Sequence, residues 1–149
     1  MLQHQDARYW GLTPINCVNV WLALTDVRME NGPMEFLKGS HTTPYPTQDT
    51  YAPDNLLTRG QVIDWDHAAN GAPAKADIIY DVLQPGQYSI HHLGIAHGGA
   101  PNEGDDRRIG FNVTYITPET RSVRPEGAYA QLIRGVDNYG NFTLDMHPR

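Results

Sequence analysis

The stretch RIGFNVTYIT, residues 108–117, decides the fold class because it alternates cleanly. Arg108, Gly110, Asn112 and Thr114 fall on one side of an extended strand, while Ile109, Phe111, Val113 and Tyr115 fall on the other. The apolar side is expected to meet a core, and the polar side to line an interior. Working outward, INCVNVWLALTDV (15–27) is rich in Val, Ile, Leu and Trp, MENG (29–32) closes it with a turn signal, and MEFLK (34–38) is expected to return as the second arm of a hairpin. DIIYDVL, QPG and QYSIHH (77–92) read as a further strand, turn and strand. Residues 42–60 carry three prolines and many turn formers, the signature of a long ordered loop with a functional role. No repeat, linker or low-complexity tract divides the chain. The expectation is a single all-β domain over 1–149, a jelly roll or small barrel with a cavity, its core at 4–117 and its tail at 118–149. In that tail AYAQLIRGV (128–136) reads as a strand or a short helix.

Composition narrows the function. With 149 residues, 40% of them hydrophobic, the chain can bury one real core. A formal net charge of −6 and no basic cluster beyond Asp-Asp-Arg-Arg at 105–108 argue against a nucleic-acid or anionic-membrane surface, leaving small molecules as partners. The apolar run from Cys17 to Leu24 is interrupted by Asn19 and too short to span a bilayer, and residues 1–14 lack a signal-peptide pattern. A lone cysteine, Cys17, allows no intrachain disulfide and fits a reducing cytoplasm; in its apolar run it reads as a core residue.

Two stretches carry chemistry. HQD at 4–6 puts His4 and Asp6 at i and i+2, so on a strand both reach one point in space. An imidazole from a neighbouring strand would complete a two-His, one-carboxylate triad with open positions on a ferrous ion. Alone, such a pair is more often a solvated polar face. HHLGIAHGGAPNEGDDRRIG at 91–110 offers His91, His92 and His97, a glycine-rich turn, and then the alternating strand. If His97 ends one arm of a hairpin and Arg108 begins the other, the guanidinium faces the interior below the histidine, where it can bind a carboxylate through two parallel hydrogen bonds. Alone, Arg108 beside Asp105 and Asp106 reads as a surface ion pair.

Together HQDARYW (4–10), VNVWLALTDVRMENGPMEFLKGSH (18–41), PGQYSIHH (85–92) and HGGAPNEGDDRRIG (97–110) resemble, in order and spacing, the phytanoyl-CoA dioxygenase family of Fe(II)/2-oxoglutarate-dependent oxygenases. The resemblance implies a cupin-like double-stranded β-helix in which His4, Asp6 and His97 hold iron and Arg108 holds the far carboxylate of 2-oxoglutarate. It places Trp21 against the cosubstrate, although a strand tryptophan is by default a core residue. It leaves His91 and His92 outside the metal site and makes His41 structural. The implied reaction consumes oxygen and 2-oxoglutarate, releases succinate and carbon dioxide, and hydroxylates a substrate C–H bond. Asp6 favours hydroxylation, since related halogenases replace that carboxylate with a small residue to admit chloride. No basic cluster marks a coenzyme A site, so the family name does not give the substrate. Tyr9, Trp10, Tyr45 and Tyr51 are candidate pocket residues or, equally, aromatic packing under a loop.

Two departures from the family pattern stand out. Gly99 replaces a serine able to hydrogen-bond the cosubstrate, a loss worth about 1 kcal/mol. The family's N-terminal helices and first core strand have no counterpart before His4, so a sheet edge is expected to be covered by a second copy of the chain or to leave the first residues poorly ordered. Two other readings follow from these features: a non-catalytic metal- or ligand-binding barrel, and a cupin-type metal enzyme in which Arg108 has no cosubstrate to hold.

Overall fold

The computed structural model describes residues 4–48, 62–123 and 128–145. It is all-β apart from a one-turn helix, α1 (Asp6–Trp10), and short 3-10 turns. The strands are β1 (Leu12–Thr13), β2 (Cys17–Ala23), β3 (Met34–Leu37), β4 (Ile78–Asp81), β5 (Tyr88–His92), β6 (His97–Gly99), β7 (Gly110–Ile116), β8 (Arg121–Ser122), β9 (Tyr129–Ala130) and β10 (Thr143–Leu144). Two three-stranded antiparallel sheets, β5-β2-β7 and β4-β3-β6, form the body. The pairs β1-β8 and β9-β10 are accessory. Among the described residues no helix is long and apolar enough to cross a membrane.

The three strand-turn-strand readings require correction. β2 and β3, β4 and β5, and β6 and β7 lie in different sheets. Each connection therefore carries the chain across the sandwich instead of folding it back. The physical reason is visible between β2 and β3: the linking residues include a 3-10 turn at Met29–Asn31, and Val27 leaves to pair with Leu83 through N–H···O bonds of 2.8 and 3.1 Å. Gly32, at φ 80°, completes that turn, and a Cβ there would lie 2.4 Å from the Ala100 carbonyl oxygen.

The alternation of β7 also needs correction in one respect. Its two faces divide as the sequence indicates, but Ile109, Phe111 and Tyr115 are exposed. The buried face of this sheet comes from β2, where Cys17, Asn19, Trp21 and Ala23 point inward. Small apolar clusters complete the core: Leu12, Cys17 and Leu93; Trp21, Ala23 and Val27; and Leu37, Ile63 and Ala96. Fully burying a residue such as Leu93 contributes about 1.5–3 kcal/mol. In the tail, 128–136 forms only the short strand β9.

Candidate metal centre

His4 does not stand in a frayed end. It forms a two-bond bridge with His97, the N–H···O distances being 3.1 and 2.9 Å, which ties the chain onto the edge of β6. Gln5 is extended, at φ −120° and ψ 118°, so His4 and Asp6 project to one side although Asp6 already opens α1 and is not in a strand. The buried Gln5 side chain bolts this arm in place. Its amide nitrogen donates to the carbonyls of Gly94 at 2.6 Å and Thr43 at 2.8 Å, and its oxygen accepts from the Tyr45 N–H at 3.0 Å.

Three potential ligands converge. One donor atom from each of His4, Asp6 and His97 lies within 4.8 Å of the others. His4 Nε2 is 3.3 Å from Asp6 Oδ1, and His97 Nε2 is 3.8 Å from Asp6 Oδ2. His97 Nδ1 lies 2.9 Å from the Ile95 carbonyl, which can only accept, so the proton sits on Nδ1 and the Nε2 lone pair is free to face Asp6. Burial pushes the His97 imidazole below its ordinary value, and His4 adds to this. Burial pushes the Asp6 carboxyl up, but the His4 hydrogen bond, the His97 and His4 charges and the Asn19 amide together hold it below its ordinary value. The site therefore combines a neutral His97 imidazole with an ionised Asp6 carboxylate, the forms that bind a divalent cation.

Arg108 does not start β7 as the alternation suggests; it precedes the strand by two residues. Thr25 fixes it from both sides, donating its hydroxyl to the Arg107 carbonyl at 3.0 Å and accepting the Ile109 N–H at 2.9 Å. The guanidinium lies 5.7 Å from the Trp21 ring centroid, and a Cβ on Gly99 would meet its Nη2 at 3.4 Å. Trp21 in turn lies flat across Gly110, where a Cβ would come within 2.0 Å of the indole. Only glycine at 110 admits that ring.

The sequence profile of the phytanoyl-CoA dioxygenase (PhyH) family matches residues 2–110. The chain belongs to the phytanoyl-CoA dioxygenase family. Its solved relatives agree with the fold. The apo form of the non-heme monooxygenase ThoJ is 34% identical, with a TM-score of 0.78 over 98% of this chain and 50% of its own. The epimerase SnoN in complex with Fe3+, alpha ketoglutarate and nogalamycin RO is 24% identical, with a TM-score of 0.57 over 80% and 43%. EvdO2 from Micromonospora carbonacea var. aurantiaca, complexed with 2-oxoglutarate, is 21% identical, with a TM-score of 0.56 over 83% and 47%. The chain thus spans about half the length of the ThoJ structure it matches. No curated protein matches it.

Three other histidines of this phytanoyl-CoA dioxygenase family member divide clearly. His92 is satisfied away from the metal centre, with Nε2 2.8 Å from the Ile15 carbonyl and Nδ1 accepting the Gly94 N–H at 3.0 Å. His41 lies edge-on to His92 in a 3-10 turn. His91 faces inward beside Phe36 and His97, its ring centroid 5.3 Å from that of His97, and burial and His97 lower its pKa to about 4. Tyr45 packs on Trp65, while the Tyr9 side chain and Tyr51 lie outside the described residues. Trp10 lines a cavity of about 630 Å³ with Leu12, Ile116, Tyr129 and Phe142, between β7 and the tail. None of the three ligands lines it, but Thr114 does. Sequence reading missed Gln5, Asn19 and Thr25. Gln5 lies between the two signature residues, and Asn19, the polar residue interrupting the Cys17–Leu24 run, was a signal available to it.

Proposed function

We propose that His4, Asp6 and His97 bind Fe(II), that Arg108 beside Trp21 binds the far carboxylate of 2-oxoglutarate, and that the protein hydroxylates a C–H bond of a small molecule. Oxygen is consumed, and succinate and carbon dioxide are released. The observation that carries this reading is the convergence of the three donor atoms within 4.8 Å, with the His97 tautomer already set by Ile95. When bound, the ion supplies open coordination positions for the keto-acid end of the cosubstrate and for oxygen. The chain supplies the rest. Asp6 fills the position that a halide would need, Arg108 fixes the cosubstrate's orientation, and the arm at 4–6 is held rigid by Gln5 so that the ligands are preorganised.

The apolar walls of the cavity between β7 and the tail suit a substrate with an apolar body. Residues 1–149 act in this reading as one domain, in the cytoplasm. A second copy of the chain covers the edge and outward face of the sheet β5-β2-β7. A second reading, metal or ligand binding without turnover, draws on Gly99, where the family's serine would hydrogen-bond the cosubstrate.

The test is an anaerobic titration of the purified protein with Fe(II) and 2-oxoglutarate. The expected result is the weak visible charge-transfer band of the chelate, followed by succinate release when oxygen is admitted with substrate. No band from a folded protein overturns the proposal. A band without succinate from any C–H donor favours the binding-only reading.

A further inference from the structure

Asn19 sits at the centre of β2 and is 2% exposed. An amide there is costly unless both its ends are partnered. They are: Thr114 Oγ1 donates to Asn19 Oδ1 at 2.6 Å, and Asn19 Nδ2 donates to Asp6 Oδ2 at 2.8 Å. The orientation follows from the chemistry, because an ionised carboxylate only accepts, so the amide nitrogen must face Asp6 and its carbonyl must take the Thr114 hydroxyl. A relay thus runs from β7 through β2 to the first residue of α1. The other carboxylate oxygen, Oδ1, lies 3.3 Å from His4 Nε2.

We infer that Asn19, oriented by Thr114, is a positioning residue that reserves Asp6 Oδ2 and presents Oδ1 as a single-oxygen ligand to the metal. The inference rests on the proposed metal site. A carboxylate bound through both oxygens would take a further coordination position, and one held to a single oxygen leaves three of six free on an octahedral ion. Two of these suffice for a chelating keto acid and one for oxygen. Because Thr114 also lines the cavity between β7 and the tail, the relay connects the wall of that cavity to the carboxylate.

The experiment is Co(II) titration of the full chain followed by visible absorption, with circular dichroism and thermal melting as checks on folding. Asp6→Ala tests the site itself and is expected to abolish binding. Asn19→Leu, which keeps the branching of the side chain but has no donor, is expected to weaken Co(II) binding about 10- to 100-fold and to alter the visible spectrum. Thr114→Val is expected to give a smaller loss with the same spectral change, and Thr114→Ser, which keeps the hydroxyl, to restore both. Wild-type affinity and spectrum in folded Asn19→Leu overturn the inference while the site stands. If Asn19→Leu does not fold, the Thr114 pair decides: equal behaviour of the Val and Ser variants overturns it. A wild-type chain that binds no Co(II), or an Asp6→Ala variant that binds it equally well, removes the site reading and this inference together.

Discussion

The two faces of the sheet β5-β2-β7 differ in composition and in completion. Its inner face carries Asn19, Trp21 and His91, at 2%, 7% and 7% exposure; both ends of the Asn19 amide are partnered, while the buried His91 Nδ1 has no hydrogen-bond partner among the described residues. Its outer face carries Tyr88, Ile90 and Phe111, at 60%, 61% and 58% exposure. The usual sheet buries its apolar face and wets its polar one. Here Asn19 can be buried because Asp6 and Thr114 satisfy its amide, while the large apolar side chains face outward. The difference teaches that alternation identifies which residues share a face but not which face is inside. Contiguous exposed apolar surface of this kind marks an interaction site.

The largest expected effect breaks the candidate site that the inner face meets. His97→Ala removes a proposed ligand and one partner of the His4 ring, whose centroid lies 4.2 Å away, and metal affinity is expected to fall by more than about 100-fold. Calorimetry with Fe(II) under anaerobic conditions measures it. Retained binding would transfer the assignment to another histidine, His91 first by its distance. Arg108→Ala comes next. It deletes the guanidinium beside Trp21 but no metal donor, so Fe(II) affinity is expected to be unchanged while 2-oxoglutarate affinity falls about 10- to 100-fold, the loss expected from charge-assisted hydrogen bonds. Unchanged cosubstrate affinity would favour a cupin-type site.

Much of the candidate site was legible in the sequence. His4, Asp6 and His97 could be gathered because their spacing repeats the family pattern, and the structure brings them together. What could not be read was pairing. Turn signals such as MENG and QPG mark where strands end, but a local turn says nothing about whether the next strand joins the same sheet, and in this fold each of the three supposed hairpins crosses to the other. The exposed side of β7 was misread for the same reason, since Ile109, Phe111, Val113 and Tyr115 look like a core unless one knows what lies beyond them. Asn19 and Thr25 act through hydrogen bonds to residues 13 and 82 positions distant, contacts that no periodicity encodes.

The outer face is sharpened by Phe111→Glu. If a second chain covers this face, a buried carboxylate there should weaken self-association at least about tenfold, as the loss of a buried aromatic predicts, and leave metal binding intact. Sedimentation velocity reads the first quantity and calorimetry the second. A monomeric wild-type chain would remove the homodimer from the proposal. A milder contrast concerns protonation of the inner face without metal. His91 titrates near 4 in the folded chain against 6.5 when free, and burial depresses His97 as well. Between these values the unfolded chain binds more protons than the folded one, so stability rises with pH and is lost as pH falls from 6.5 towards 4. The melting temperature of chelator-treated protein is expected to be lower near pH 5 than near pH 7, and His91→Phe should shrink that difference. An unchanged difference would show that His91 is not held neutral by its surroundings.

The smallest effect tests how complete the candidate site is. Gly99 lies where a Cβ would stand 3.4 Å from Arg108 Nη2, close enough that the guanidinium, the far end of a flexible side chain, must give only slightly. Gly99→Ser is therefore expected to fold normally and to add a hydroxyl beside the proposed carboxylate site. One such hydrogen bond contributes about 1 kcal/mol, or about fivefold in 2-oxoglutarate affinity. The same variant distinguishes two ways in which the arginine could be held. If the guanidinium is free to meet a cosubstrate, the serine tightens binding. If the serine instead weakens binding, the hydroxyl has engaged the arginine itself, and the absence of a side chain at 99 is what leaves Arg108 available.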